Sequence, residues 1–378
     1  MTRSEPSGSA PAVATISTEE HLAYIEAQPS ASFLQTPAWA AVKPEWGHES
    51  VGFFAGAELV GAALVLYRRL PRLKRSLAYL PEGPCLDWSR GDLADLLVAL
   101  TRHLADRGAF AVRMGPPVVT RRWQAATLKA AIADPALHRL DDVPADATDP
   151  VGRRVVGLLR RSGWSRQHSA GGFTAGQPQY NFWLPLAGRS SDDVLSGMNQ
   201  QWRRNIKKAA KAGVEVRVGD RADLPAFHTV YAETAARDSF TPRPLGYFQN
   251  MYDALNAEAP DRLRLYLAHH EGDLVAATTM VRVGEHAWYS YGASTTAKRE
   301  VRGSNAVQWQ MITDAMAAGA AVYDLRGITE TLDADDPYVG LAQFKVGTGG
   351  QAVEYAGEWD LPVSRLLYRA FDLYMKRR

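Results

Sequence analysis

Glu58-Leu59-Val60-Gly61-Ala62-Ala63 in the first half of the chain lies beside Asp273-Leu274-Val275-Ala276-Ala277-Thr278 in the second. Each stretch opens the return arm of a hairpin. Ser50 to Phe54 and Leu59 to Tyr67 read as strands around a turn at Gly56-Ala57-Glu58. Leu263 to His270 and Leu274 to Val283 read as strands around Glu271-Gly272-Asp273. A duplicated domain and two generic hairpins account equally well for the match. The elements around it keep an α+β rhythm. Leu93 to Arg107 is a helix stopped by Gly108, and Phe110 to Met114 is a short buried strand. Later come a strand from His286 to Tyr291, a helix from Ser304 to Gly319 and a strand from Val322 to Leu325. The chain has 378 residues, which suits two domains of about 150–200 each.

Composition excludes more than it suggests. A net charge of +2 makes any nucleic-acid site a local patch and argues against a DNA binder. The lone Cys85 excludes an intrachain disulfide and a cysteine metal site, and fits a reducing cytoplasm. Met1 to Thr15 is rich in Ser, Pro, Ala and Gly, lacks an apolar segment, and reads as a disordered lead-in through residue 16. No run approaches the roughly 18 apolar residues of a membrane span. Gly-x-Ser-x-Gly, His-Glu-x-x-His and Walker A are missing. Asp333, Asp335 and Asp336 lack the spacing of a calcium loop.

Four stretches carry candidate chemistry. Ser191 to Lys211 reads as one helix, capped by Ser190 or Ser191 and ended by Gly213. Val194, Met198, Trp202 and Ile206 form its apolar stripe. Arg203, Arg204, Lys207, Lys208 and Lys211 fall on the other side without an acid among them, which suits either phosphate or plain solvent. Thr241-Pro242-Arg243-Pro244-Leu245-Gly246-Tyr247 is a proline-braced turn gathering a hydroxyl, a guanidinium and a phenol. Tyr289 and Tyr291 are expected on one face of a strand. Phe344-Lys345-Val346-Gly347 places a lysine between an apolar strand end and a glycine turn, where it would meet a developing negative charge. Near the start, Thr36 is expected to cap a helix with Pro37 in its first turn and with Trp39 and Lys43 on one face. Ser364 to Arg378 is an amphipathic helix, suited to packing on its own domain or lying on an anionic membrane.

In order and spacing, these stretches resemble the FemABX family. The early signature is Phe33-Leu34-Gln35-Thr36-Pro37-x-Trp39-x-x-Val42-Lys43. The middle one is Arg203-Arg204-Asn205-Ile206-Lys207-Lys208-Ala209 with Gly213-Val214. Late ones are Tyr291-Gly292-Ala293-Ser294, Tyr323-Asp324-Leu325-Arg326-Gly327-Ile328, and Gly340-Leu341-x-x-Phe344-Lys345 with Gly349-Gly350. The resemblance implies an α+β fold of two tandem GNAT-like acyltransferase domains. Residues 17–185 plus 356–378 would form the first, which binds the precursor. Residues 186–355 would form the second, and the C-terminal helix would return to the first. Lys211 runs directly into Gly213 and a new strand, so the chain is similar to members without a coiled-coil arm.

What the resemblance implies of function is aminoacyl transfer from aminoacyl-tRNA to the stem-peptide amine of a peptidoglycan precursor. The acceptor would be lipid II or the soluble UDP-MurNAc-pentapeptide, and glycine is the first candidate for the amino acid. No cofactor is implied. The protein would be cytoplasmic, with peripheral contact at the inner membrane face as an option. By position, Lys43, Thr241, Arg243 and Tyr247 would hold the precursor's diphosphate. Tyr289 or Tyr291 would be the substrate-site tyrosine, and Phe344 and Lys345 would sit at the tRNA acceptor end. The Arg203 to Lys211 cations would contact tRNA. Two departures stand out: Gly115-Pro116 replaces an Asp-Pro whose aspartate has been taken as a base, and Gln201 replaces a common lysine. The rival expectations are an acyl-CoA N-acyltransferase and a non-catalytic binder of tRNA or precursor. The first needs a pyrophosphate loop, for which Glu300-Val301-Arg302-Gly303-Ser304-Asn305 carries a repelling acid.

Overall fold

The computed structural model describes residues 11–71, 73–167, 176–333, 335–336 and 338–376. Among these the chain builds two mixed sheets, and it crosses between them more than once. The first stretch carries β1 (Ala12–Thr15), α1 (Thr18–Glu26), α2 (Trp39–Val42), β2 (Gly47–Ala55), β3 (Glu58–Arg69), β4 (Ser76–Leu80), β5 (Cys85–Leu86), α3 (Leu93–Asp106) and β6 (Ala109–Met114). All its strands join the first sheet, in the order β1-β2-β3-β4-β6, with β5 on the edge of β3. The chain then leaves for the second sheet with β7 (Val119–Gln124), α4 (Ala125–Ile132) and β8 (Ala147–Thr148). It comes back through α5 (Pro150–Arg161) and β9 (Ser165–Arg166).

The rest is mostly the second sheet. In chain order it runs β10 (Tyr180–Pro185), α6 (Ser191–Gly197), α7 (Gln200–Lys211), β11 (Glu215–Gly219), α8 (Leu224–Arg237), α9 (Leu245–Glu258), β12 (Leu263–His270), β13 (Asp273–Val283), β14 (His286–Ser294), α10 (Gly303–Ala317), β15 (Val322–Ile328), α11 (Val339–Val346) and β16 (Gln351–Tyr355). β17 (Trp359–Pro362) and α12 (Arg365–Lys376) then return to the first sheet.

The hairpin that opened the reading is real in both halves, β2–β3 and β12–β13. The second turn puts Glu271 (φ 52°) and Gly272 (φ 85°) in the left-handed region. That geometry matches the right-handed twist of the strands it joins, and it explains the glycine. In each half a parallel pair, β4–β6 and β14–β15, flanks a helix, α3 and α10. The α+β fold with two GNAT-like halves therefore stands. α7 ends at Lys211 and β11 begins at Glu215, so no arm is inserted there.

Several expectations need correction. Ala12–Thr15 is not a disordered tail: it pairs antiparallel with Val51–Phe54, and Met1–Ala10 lie outside the described residues. The boundary at 185/186 does not follow the sheets, because Val119–Gln124, Ala147–Thr148 and Tyr180–Pro185 pair in the second sheet. Thr36 does not cap α2. Its hydroxyl donates to Phe33 O at 2.9 Å and closes a 3-10 turn over Phe33–Gln35. The neighbouring Gln35 explains that signature: its buried amide accepts from Leu64 N at 3.1 Å and donates to Pro81 O at 2.8 Å. The expected helix from Ser191 to Lys211 breaks at Met198, which is extended. Asn199 caps α7 through its side chain, and its own N–H donates to Gly347 O at 2.9 Å, a bond a continuous helix could not make.

Candidate active site

A cleft of about 1190 Å³ lies between the two sheets. Lys43, Arg243, Tyr247, Tyr289, Arg326, Gly327 and Lys345 are among the residues that line it. Lys43 follows directly on α2, whose entry is tied to α9 by Ala38 N donating to Glu258 Oε1 at 2.7 Å. Its ammonium lies 5.1 Å from the centre of the Tyr247 ring, and the Arg243 guanidinium lies 5.4 Å from the same ring. Burial, then the nearby Arg243, lowers the Lys43 pKa. Two cations that repel each other across one ring make a site that an anion relieves. Thr241 is exposed and does not line the cleft, so the structure leaves it out of this cluster.

Tyr289 and Tyr291 do not behave as one face. Ser290 is the unpaired residue of a β-bulge between Tyr289↔Met280 and Tyr291↔Thr279. Tyr291 joins the aromatic cluster of α8 and α9, and its hydroxyl lies 3.0 Å from that of Tyr247. Tyr289 packs instead with the second sheet's main core. Its ring is laid along its own strand. A Cβ on Gly292 would come 2.1 Å from the Tyr289 hydroxyl, so residue 292 must be glycine for Tyr289 to lie there. Sequence reading quoted Gly292 only as part of a motif.

The reason for this placement is the splay of the second sheet. β14 and β15 pair in parallel from His286↔Val322 to Trp288↔Asp324 and then part. Tyr289 is the first residue past the last pair. Beyond it a second hollow, of about 330 Å³, opens at the start of α10. Tyr289, Phe344, Asn305 and Arg302 line this hollow, and Tyr289 also lines the cleft. Asn305 is 5% exposed, and its Nδ2 is buried without a partner among the described residues. That group, beside the N-terminus of a long helix, suits an acceptor oxygen of a ligand. In the first half, β4 and β6 pair through to Leu80↔Met114, and β5 folds back onto Gly61 and Ala62.

Phe344 and Lys345 lie on helix α11, not at a strand end as expected. Lys345 is 3% exposed, and its Nζ donates to Gly327 O at 2.6 Å and Arg326 O at 3.4 Å. Burial pushes its pKa down to about 7; Asp324 pulls it up and Arg326 pushes it further down. The carbonyls that hold it sit in a strained segment. Arg326 has φ 63°, and its guanidinium pairs at 2.7 Å with Glu82, which has φ 46°. Two non-glycine residues in left-handed conformation cost about 1–3 kcal/mol each, and the buried pair between the halves holds both. Neither residue was singled out from sequence for this role.

Phe344 docks α11 on α7. Its ring centre lies 4.6 Å from that of Trp202, and Trp202 Nε1 donates to Phe344 O at 2.7 Å. The other side of α7 exposes Arg204, Lys207, Lys208 and Lys211, none with an ion-pair partner among the described residues. Arg203 is half-buried and donates to Ser196 O at 2.7 Å. The basic face therefore lies outside both cavities, on the helix that positions Phe344.

Gly115, where an aspartate was expected, has a filled environment. A Cβ there would meet Glu358 Cγ at 3.3 Å. Glu358 lines the cleft and accepts from the Tyr79 hydroxyl at 2.6 Å. Burial raises its pKa, and the Tyr79 bond and Arg113 oppose that. Among the described residues no group of His, Cys, Asp and Glu is arranged to hold a metal ion.

Two GNAT-like halves enclose a charged cleft that meets a hollow at one splayed sheet. Comparison with known proteins agrees. The FemAB family profile matches residues 16–269 and 263–376, so this chain belongs to the FemAB family and is an enzyme of the transferase class. The lipid II:glycine glycyltransferase of Staphylococcus aureus (strain MRSA252) is 22% identical over an alignment of 424 positions, covering 94% of each chain. The crystal structure of FemX superimposes with a TM-score of 0.79 at 22% identity, over 95% of this chain and 99% of that one. A tandem GNAT protein from the clavulanic acid biosynthesis pathway gives a TM-score of 0.51 at 11% identity, over 93% and 98%.

Proposed function

We propose that this enzyme transfers an amino acid, glycine first among candidates, from aminoacyl-tRNA to the stem-peptide amine of a peptidoglycan precursor. The observation that carries the proposal is the position of Tyr289, which lines both the cleft and the hollow. Two large substrates can enter from different sides and meet at one side chain. The cation pair Lys43 and Arg243 suits the acceptor's diphosphate, with the hydroxyls of Tyr247 and Tyr291 beside it. The hollow at α10 suits the esterified 3′ end of the donor, and the free cations of α7 suit its phosphates.

Lys345 is the proton carrier in this reading. The acceptor amine arrives protonated and must lose a proton to attack. A lysine whose pKa is near 7 accepts that proton at neutral pH. The amine nitrogen then bonds to the ester carbonyl carbon and releases its second proton to solvent, the carbon–oxygen bond to the ribose breaks, and the Lys345 ammonium returns its proton to the leaving 3′ oxygen. Holding amine and ester together contributes several kcal/mol, and an activated ester needs no covalent enzyme intermediate. The test is incubation with mixed charged tRNAs and each acceptor, lipid-linked and nucleotide-linked, followed by product masses. Addition of one aminoacyl residue supports the reading. Calorimetric binding of acetyl-CoA with no transfer from tRNA would favour the acyl-CoA chemistry instead.

A further inference from the structure

We propose that the outer face of α12, together with the turn between β3 and β4, is a docking surface for an anionic lipid bilayer. α12 buries Leu367, Phe371 and Met375 against Leu70, Leu77 and Phe110 of the first half. Its opposite side is apolar too. Leu366 is 79% exposed and Leu373 is 52% exposed, and a spacing of seven places them on one face. Arg365 and Arg369 flank that face, both exposed and without ion-pair partners among the described residues. The neighbouring turn is anchored by Leu70 in the same cluster. It then presents Leu73, 50% exposed, followed by exposed Lys74 and Arg75.

Beside this turn is a hollow of about 710 Å³, lined by Arg69, Lys74, Arg75 and Arg107. Its acid, Glu49, is already engaged by Arg107 at 3.3 Å and by Tyr67, Thr15 and His103, which leaves Arg69, Lys74 and Arg75 without an ion-pair partner among the described residues. The hollow therefore keeps a positive balance, and it has the dimensions and charge to receive a phosphate headgroup. Apolar side chains that reach the acyl boundary, cations at phosphate level and one cationic recess are the features of an interfacial helix site.

Two observations select a bilayer over a second copy of the chain. The surface is cationic: the acid on α12, Asp372, lines the cleft, so apposing two such faces would bring like charges together. The surface is also continuous with the cleft. Arg69 lines both cavities, and the Arg68 guanidinium lies 6.0 Å from the Phe371 ring and 5.9 Å from the Trp46 ring, three residues beyond Lys43. A bilayer on this face would meet the cleft that Lys43 and Arg243 line. The inference rests on the transferase reading and deepens it: the acceptor is lipid-linked and is taken from the membrane surface.

The experiment is co-sedimentation of the full chain with vesicles of phosphatidylcholine alone and of equal parts phosphatidylcholine and phosphatidylglycerol. Binding is expected to the anionic vesicles and to weaken with salt. Leu366→Asp with Leu373→Asp, and separately Lys74→Glu with Arg75→Glu, should each weaken it by about tenfold or more. Thermal melting should stay close to wild type, because all four side chains are exposed. Transfer to a nucleotide-linked acceptor should be unchanged in the leucine pair, while transfer to the lipid-linked acceptor in vesicles falls by about tenfold. Equal binding by the variants, or no preference for anionic vesicles, would overturn the proposal. So would a wild-type dimer in solution that the leucine pair converts to monomer. Vesicle binding without transfer to either acceptor would uphold the docking surface and overturn the transferase reading.

Discussion

Replacing Lys345 with methionine should make the protein more stable and nearly inactive. Methionine keeps the length of the chain and removes the amine. In the fold, burial brings the lysine from 10.5 to about 7. At about 1.4 kcal/mol per pH unit, that drop makes the charged form on the order of 5 kcal/mol unfavourable. Against this, methionine leaves Gly327 O without its 2.6 Å donor, a loss of about 1–3 kcal/mol. The net gain is on the order of 3 kcal/mol where the lysine is fully protonated in both states. The sign with pH follows from proton binding. Between about pH 7 and 10.5 the unfolded chain holds the proton and the folded chain does not, so wild-type stability rises across that window. The variant's advantage is therefore largest below pH 7 and shrinks towards 10.5. Urea unfolding at several pH values measures it. Single-turnover transfer should fall by about 10²–10³-fold with binding nearly intact, and the wild-type rate should rise with a midpoint near pH 7. Lys345→Arg should restore little, because a guanidinium does not give up its proton. A methionine variant that turns over at near wild-type rate, or a flat wild-type profile from about pH 6 to 8, would refute the reasoning.

Three other outcomes follow from the site. Arg243→Ala and Lys43→Ala should each weaken acceptor binding by about 1.5–3 kcal/mol and leave tRNA affinity alone, measured by calorimetry with each substrate. Lys207→Glu with Lys208→Glu should weaken tRNA binding and flatten its salt dependence; an unchanged salt slope would mean the basic face of α7 meets only solvent. Gly292→Ala should force Tyr289 off its strand, because the new methyl would overlap the hydroxyl. Turnover should then fall by about tenfold or more with the fold intact by circular dichroism, and a crystal structure with Tyr289 unmoved would rule the argument out.

Local patterns were legible where neighbours in sequence decide the structure. Both hairpins, α3, α10 and the amphipathic α12 came from periodicity and turn residues alone. What failed depended on partners far along the chain. Ala12–Thr15 looks like linker, yet β2 supplies its hydrogen bonds. Met198 fits a helical stripe, yet a bond from Asn199 to Gly347 breaks the helix there. Lys345 was found through its motif, but its near-neutral pKa arises from burial on α11 against β15, which its own neighbours do not encode. The pair Glu82 and Arg326 was invisible for the same reason, since 244 positions separate them.

The two halves resemble each other, and their difference bears on the chemistry. A parallel pair beside a helix offers a ligand hollow when its strands part past the last hydrogen-bonded residue. In the first half β4 and β6 stay paired to their ends, and the following chain folds back as β5 over β3. In the second half β14 and β15 part at Trp288, a bulge at Ser290 turns Tyr289 and Tyr291 into different clusters, and the hollow stays open. A transferase joining two large substrates needs one donor hollow and one acceptor wall, meeting at a point. With the first half closed it can serve as the wall, contributing Lys43 to the cleft and Glu82 to the pair that holds Arg326, and the splay of the second half leaves Tyr289 and Lys345 where the two substrates would touch.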